Sequence, residues 1–437
     1  MRERGIQNGD GTRTAWALAA CAVDALLLAV QIGLLLRGTG VQFGDARSYL
    51  DLAIYCAQNA TWYPNARNMY DTYVFGNGYV NILAACMRLA PGLPWVELLN
   101  LAFMQAIVWL SAGIAWRMTH RLRPACLTAM LICLSAGFWG EVVAARTELC
   151  FIALSCLSLY LLTFPRTATL FLAGVAVALA NWVRPLLVVY LPGMLLFLWL
   201  RRAGIRRMSM LLAGALAMTL VIGAGAQRLT GRFIFQAQTM GINMLMGAND
   251  DADGSYNDAV FREGKAGYID PQRRARMTFY EIDALYKDEA IAWMARNPMS
   301  FFLLAPAKLF YFLATDTYGG CAFLGRETDN LAYLLELWNV LLGRGERSLL
   351  PGDVVVLYEQ AFYMCLLTAY ALSVVNSLRR RCLRDTLHLH AIVLGACGVA
   401  VLTVGGARYH MPYIPIFCIC AAIAWDGHAT RRAPAAA

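Results

Sequence analysis

Residues 15–36 read Ala15-Trp16-Ala17-Leu18-Ala19-Ala20-Cys21-Ala22-Val23-Asp24-Ala25-Leu26-Leu27-Leu28-Ala29-Val30-Gln31-Ile32-Gly33-Leu34-Leu35-Leu36, and a few positions later comes Phe43-Gly44-Asp45-Ala46-Arg47-Ser48-Tyr49. The first stretch exceeds the ~20 apolar residues that cross ~30 Å of hydrocarbon. Asp24 is its one acid, and an acid at that depth is expected to face other helices and pair with a buried polar group. If the run crosses a bilayer, Asp45 emerges at the membrane–water boundary. Gly44 lets the chain turn there, and Asp45 is placed either to cap the helix that follows or to act on a head group that never leaves the membrane.

The rest of the chain has the same character. Of 437 residues, 59% are hydrophobic and 15% charged, against roughly 25% charged in a soluble domain. The net charge of +9 sits mostly in short arginine-rich loops between apolar runs. That pattern sets membrane orientation and argues against a nucleic-acid partner. Most of the thirteen cysteines fall singly inside apolar runs and no CxxC pair occurs, so they read as small hydrophobes and not as a disulfide or metal framework. The N-terminal Arg2, Arg4 and Arg13 resemble a signal peptide's charged flank, but the run that follows is too long and has no small-residue cleavage site. It reads as a retained anchor.

Working outward, further spans are expected near residues 95–116, 124–143, 149–164, 169–183, 186–200, 208–226, 354–375, 386–404 and 409–425. This makes an all-α polytopic membrane protein of about ten transmembrane helices, or about twelve if 301–315 and 331–343 also cross. Three parts follow: an N-terminal transmembrane module (1–226) with a first outer loop at 37–94, a larger outer loop region (227–352), and C-terminal transmembrane helices (353–437). The first outer loop carries Trp62, Tyr63, Tyr70, Tyr73 and Phe75, and aromatics of this kind favour the interface. It reads as two interfacial helices joined by the turn at 62–68 and by Gly76-Asn77-Gly78. In the larger region, 273–296 is amphipathic and 301–312 is apolar but short.

Alternating sides puts the N-terminus, the 117–123 loop, Arg166, the 201–207 loop, the 379–384 loop and the tail with Arg431 and Arg432 together. That is the cytoplasmic side, with both termini inside. Residues 37–94 and 227–352 then face out, together with Arg146, Glu148, Arg184 and Arg408-Tyr409-His410. No internal repeat is visible, which counts against a transporter built from two related halves.

The outer boundary thus collects carboxylates and guanidinium groups at the ends of spans. A carboxylate can take a proton from an attacking hydroxyl, and arginine binds phosphate bidentately and stabilises its departing charge. Such a mixture suits transfer from a lipid-linked phosphate. For Arg184-Pro185 a plain interfacial anchor is an equal alternative. The Asp250-Asp251-Ala252-Asp253 stretch lacks calcium-loop spacing and reads as a solvated turn. Five histidines are too few and too scattered for a zinc centre; a carboxylate-bound divalent cation is left open. No P-loop, GxSxG or HExxH occurs in a suitable context.

These pieces, in order, resemble the membrane-embedded C-type glycosyltransferases, in particular the bacterial family-39-like group related to protein O-mannosyltransferases and to aminoarabinose or galacturonic acid transferases of lipid A. The carriers are Gly44-Asp45 with Tyr49, Tyr63-Pro64, Phe75-Gly76-Asn77-Gly78-Tyr79, Thr147-Glu148-Leu149, Asn181-Trp182-Val183-Arg184-Pro185, the stretch 243–256, and Arg408-Tyr409-His410-Met411-Pro412. The resemblance implies inverting transfer of a sugar from a polyprenyl-phosphate donor to a lipid, glycan or protein acceptor outside a bacterial inner membrane. It also implies Asp45 as the general base, with Arg184 and Arg408 on the donor phosphate. Arg146, Glu148, Tyr49, Tyr409 and His410 complete the candidate substrate-binding set. Many members of that group carry two adjacent acids where this chain has Gly44-Asp45-Ala46, and the histidine metal site of some relatives has no counterpart, so no metal is carried over. The rival from another class is a lipid-linked-oligosaccharide transporter or flippase.

Overall fold

A computed structural model describes residues 3–37, 42, 44–90, 92–324, 330–345, 347–380 and 382–426. Arg2, Phe43, Arg381, Arg431 and Arg432, used in the reading of the sequence, lie outside the described residues. In chain order the helices are α1 (Glu3–Arg37), α2 (Gly44–Gln58), α3 (Asn77–Leu89), α4 (Leu93–Thr119), α5 (Leu122–Leu134), α6 (Glu148–Leu162), α7 (Thr167–Val183), α8 (Leu187–Leu200), α9 (Ile205–Thr230) and α10 (Met240–Gly247). There follow α11 (Pro271–Arg274), α12 (Phe279–Arg296), α13 (Pro298–Leu313), α14 (Tyr318–Phe323), α15 (Asn330–Leu341), α16 (Pro351–Arg379), α17 (Leu383–Leu402), α18 (Ala407–His410) and α19 (Ile414–Trp425). Among the described residues there is no sheet, only an isolated antiparallel bridge between Val74 and Gln238.

The segments Thr12–Arg37, Pro94–Thr119, Ile205–Thr230, Pro351–Arg379 and Leu383–Leu402 are long and apolar enough to cross a membrane. A helix closes its own backbone hydrogen bonds, which is what the hydrocarbon demands. The helices at Glu148–Leu162, Thr167–Val183, Leu187–Leu200 and Pro298–Leu313 are apolar but shorter. The all-helical, membrane-compatible character read from composition is therefore present in the fold.

The expected continuous span at 124–143 is not. Helix α5 stops at Leu134, and the chain bends by 60° into 3-10 turns that run to Val143. The physical reason is a close backbone crossing: a Cβ on Gly319 would lie 2.1 Å from the Gly137 carbonyl oxygen. The freed backbone groups are collected by side chains. Asn100 Nδ2 donates to the carbonyls of Val142 (3.2 Å) and Ala144 (2.9 Å). Gln42 donates to Val143 O and accepts from Ala145 N–H, both at 2.8 Å. The final span expected at 409–425 likewise opens with the single turn α18 and a 3-10 turn before α19. Almost every residue of α19 is buried, and it packs against α4, α5 and α16 at the centre of the bundle.

Asp24 accepts from Gln105 Nε2 at 3.2 Å, the internal pairing expected of an acid inside a span. Helices α2 and α3 bury one face each against one another, and the connector between them is tied to α3 by the reciprocal Tyr63–Asn81 pair (2.8 and 2.6 Å). Within 227–352, α10 packs on α12 through Leu245, Ile282, Tyr286 and Trp293. In its acidic turn, Asp250 accepts from Trp293 Nε1 at 2.7 Å and Asp253 from the Ser255 amide and hydroxyl, both at 2.8 Å. At the far end of the bundle the arginine-rich connections meet one another. Arg121 pairs with Asp426 at 2.8 Å, Arg117 donates to Thr163 at 2.9 Å, and Arg384 reaches the Leu200 carbonyl.

Helices α7 and α9 cross at two glycines: a Cβ on Gly174 would lie 2.1 Å from Leu211 O, and one on Gly214 2.0 Å from Phe171 O. Small residues that let helix backbones touch are a main source of packing energy in membranes. Gly174→Val is expected to cost about 1–3 kcal/mol through overpacking, read as a lower thermal unfolding temperature in detergent, whereas Gly225→Val on the open face of α9 leaves melting unchanged.

Candidate functional site

Asp45 lies in the first turn of α2, directly after Gly44, whose φ of +51° suits glycine. A carboxylate is favoured at that end of the helix dipole. Its Oδ2 accepts from Arg408 Nη1 at 2.5 Å. The same guanidinium donates through Nε to Glu148 Oε1, and that oxygen also takes Arg184 Nη1 at 2.9 Å. Four groups from four distant segments thus form one chain: Asp45, Arg408, Glu148, Arg184. Glu148 is fully buried, whereas the Asp45 side chain is 43% exposed.

Each member is delivered by local structure. Glu148 opens α6, with Thr147 Oγ1 on its other oxygen at 3.3 Å. The segment before it is pinned by Gln42 and Asn100 as described above. Arg184 ends α7, and the turn after it is held by Asn181, whose Oδ1 accepts the Leu187 amide at 3.0 Å. Gly76 permits the close approach of α3 to this turn, since a Cβ there would lie 2.4 Å from Val183 O. Arg408 sits on the single turn α18.

Arg146 pairs with buried Glu141 at 3.0 Å and lies over the Tyr318 ring at 4.6 Å, with Arg408 over the same ring at 5.5 Å. Tyr318 therefore joins the two arginines. Tyr49 is one helical turn beyond Asp45 and packs edge-on to Phe75 (5.2 Å) and Tyr79 (5.7 Å). His410 is not part of this chain of charges. It is fully buried, its Nδ1 facing the Phe312 carbonyl at 2.8 Å and its Nε2 facing Asp316 at 3.4 Å, with Tyr363 stacked on the ring at 4.3 Å. Its place is behind α18, where it anchors the turn that carries Arg408.

Glu141, Tyr318, Asp316 and Glu359 were not among the residues singled out from sequence. Glu359 accepts the Gly319 (3.2 Å) and Gly320 (2.5 Å) amides and so fixes the start of α14 that presents Tyr318. The available signal was an acid within an otherwise apolar stretch, at 141 and at 359.

Electrostatics separates the roles. Burial, and then the Asp45 charge, raises the Tyr49 hydroxyl well above its ordinary range. Burial raises Tyr409 too, although Arg408 and Arg184 pull it part of the way back. Tyr256 is pushed up to about 12 by burial and by Tyr409. All three keep their protons at neutral pH and can only donate or accept hydrogen bonds. Burial alone would weaken the Arg408 charge, but Glu148, Tyr318 and Asp45 more than offset it, and the guanidinium stays charged. Asp45 is thus the exposed acceptor of the set, beside two fixed cations. Among the described residues, no three His, Cys, Asp or Glu are grouped so as to hold a metal ion.

No protein-family model matches the chain, and no curated protein matches it.

Removing Glu148 would leave Arg184 and Arg408 without their shared buried anion. Glu148→Gln is expected to destabilise the fold by about 3–5 kcal/mol, the usual cost of breaking a buried pair from one side. Thermal unfolding of the purified variant measures it; melting equal to that of the parent would mean the shared carboxylate does not hold these segments together.

Proposed function

We propose that the protein is a membrane glycosyltransferase that moves a sugar from a polyprenyl-phosphate donor to an envelope lipid, glycan or protein acceptor, with inversion at the anomeric carbon. The observation that carries the reading is an exposed carboxylate, Asp45, set against the Arg408–Glu148–Arg184 cluster. The ordered motifs described from sequence supply the family, a C-type architecture of about ten spans with both termini in the cytoplasm of a bacterium.

In this reading the acceptor hydroxyl oxygen attacks the anomeric carbon on the face opposite the phosphate. The carbon–oxygen bond to phosphate breaks, the lipid phosphate leaves with the bonding pair, and Asp45 receives the hydroxyl proton. Arg408 and Arg184 carry the charge that develops on the phosphate, the role for which a planar, permanently charged fork is suited. Tyr49 and Tyr409, protonated and adjacent, serve as hydrogen-bond partners for substrate oxygens. Arg146 acts at one remove, through Tyr318.

Asp45, Arg408, Glu148 and Arg184 gather in one cluster where helices end, which favours transfer over the rival reading of a lipid-linked-oligosaccharide flippase. Sugar transfer in membranes containing Asp45→Asn at equal expression is the direct test. Loss of about 10²–10⁴-fold in rate is expected for removal of a general base; undiminished transfer would overturn the role of Asp45. Movement of labelled lipid by the purified protein without any transfer would replace the reading by the flippase.

A further inference from the structure

The charges of the site cancel one for one: Asp45, Glu141 and Glu148 against Arg146, Arg184 and Arg408. A phosphate entering this set needs a guanidinium that is free to meet it. Glu141 and Glu148 cannot yield one, since both are buried to within 1% of complete and are enclosed by their partners. Asp45 is different. Its side chain is 43% exposed, it stands on the first turn of a surface-lying helix after a glycine, and its ion pair with Arg408 runs through one oxygen and one nitrogen, Oδ2 and Nη1. The Arg408 Nε is meanwhile committed to Glu148, so Nη1 is the nitrogen that the partly exposed carboxylate engages. A carboxylate and a phosphate present the same kind of oxygen to a guanidinium.

We infer that Asp45 holds the place of the donor phosphate on Arg408, and that donor binding exchanges one for the other. The inference rests on the reading of this site as one for a lipid-linked phosphate. In the free protein Oδ2 is engaged by Nη1, which leaves Oδ1 as the oxygen open to an acceptor hydroxyl. When the phosphate takes Nη1, the carboxylate swings free, still within the same cluster and now beside the bound donor. Both carboxylate oxygens are thereby open to the acceptor hydroxyl only while the donor is bound. Glu148 keeps Arg408 and Arg184 in register throughout.

The consequence is opposite to that of an ordinary ligand-binding residue: removing Asp45 should improve phosphate binding while abolishing transfer. The test uses the purified full chain in detergent with a short isoprenyl monophosphate as probe, comparing the parent with Asp45→Asn and Asp45→Ala, each checked by thermal melting. A partly exposed ion pair of this kind competes weakly, so both variants are expected to bind the probe about two- to fivefold more tightly than the parent. Probe bound by the parent but not more tightly by either folded variant overturns the exchange and leaves the phosphate site standing. Probe bound by none of the three overturns the phosphate reading itself. Inorganic phosphate, measured alongside, separates the two sources of this chemistry: weaker binding than the isoprenyl ester supports a lipid-linked ligand, and equal binding overturns the lipid-linked part of the assignment.

Discussion

One buried carboxylate organises the end of this protein where the candidate site lies. Glu148 Oε1 receives hydrogen bonds from both Arg184 and Arg408, and those two arginines come from segments more than two hundred residues apart in sequence. Neither guanidinium could be drawn into so enclosed a place without an anion to meet it, because an unpaired buried charge is far costlier than the pair. The turn after α7, the start of α6 and the turn α18 are consequently locked to a common point. Asp45 then attaches from outside through the free edge of Arg408. The order of dependence is clear: Glu148 places the arginines, and the arginines place Asp45.

Behind that layer lies a second one with no exposed member. His410 and Asp316 hold α18 from below, Glu359 holds α14, and the close approach of Gly137 to Gly319 lets α14 and the 3-10 turns after α5 lie against one another. In the proposed reaction these residues touch no substrate and set the geometry of those that do.

Much of this was legible in the sequence because the membrane imposes so strict a rule on composition. Apolar runs announce helices, and an ionisable residue at the end of a run announces itself against them. Asp45, Glu148, Arg184 and Arg408 could each be picked out on that basis, one by one. Their mutual pairing could not, since spacing along the chain says nothing about which ends of which helices meet. The break at Leu134 had a partial mark in Gly137, Gly140 and Glu141, but the close contact of Gly137 with Gly319, a segment far away, could not be read from them. His410 shows the opposite limit. Its neighbours Arg408 and Tyr409 suggested a place in the site, but on a single turn of helix the direction of each side chain is decided by packing, and Phe312 and Asp316 claimed it. Tyr318, flanked by Thr317 and two glycines, carried no mark at all.

The central position of α19 bears on how the molecule comes to exist. This twelve-residue helix lies between α4, α5 and α16, yet it is synthesised after all of them. The earlier helices therefore cannot reach their final packing until residues 414–425 have been made. Arg408 travels with that final segment, just ahead of α19. The pairing that joins Asp45, Arg408, Glu148 and Arg184 thus becomes available only late in synthesis, with the same stretch of chain that supplies the central helix.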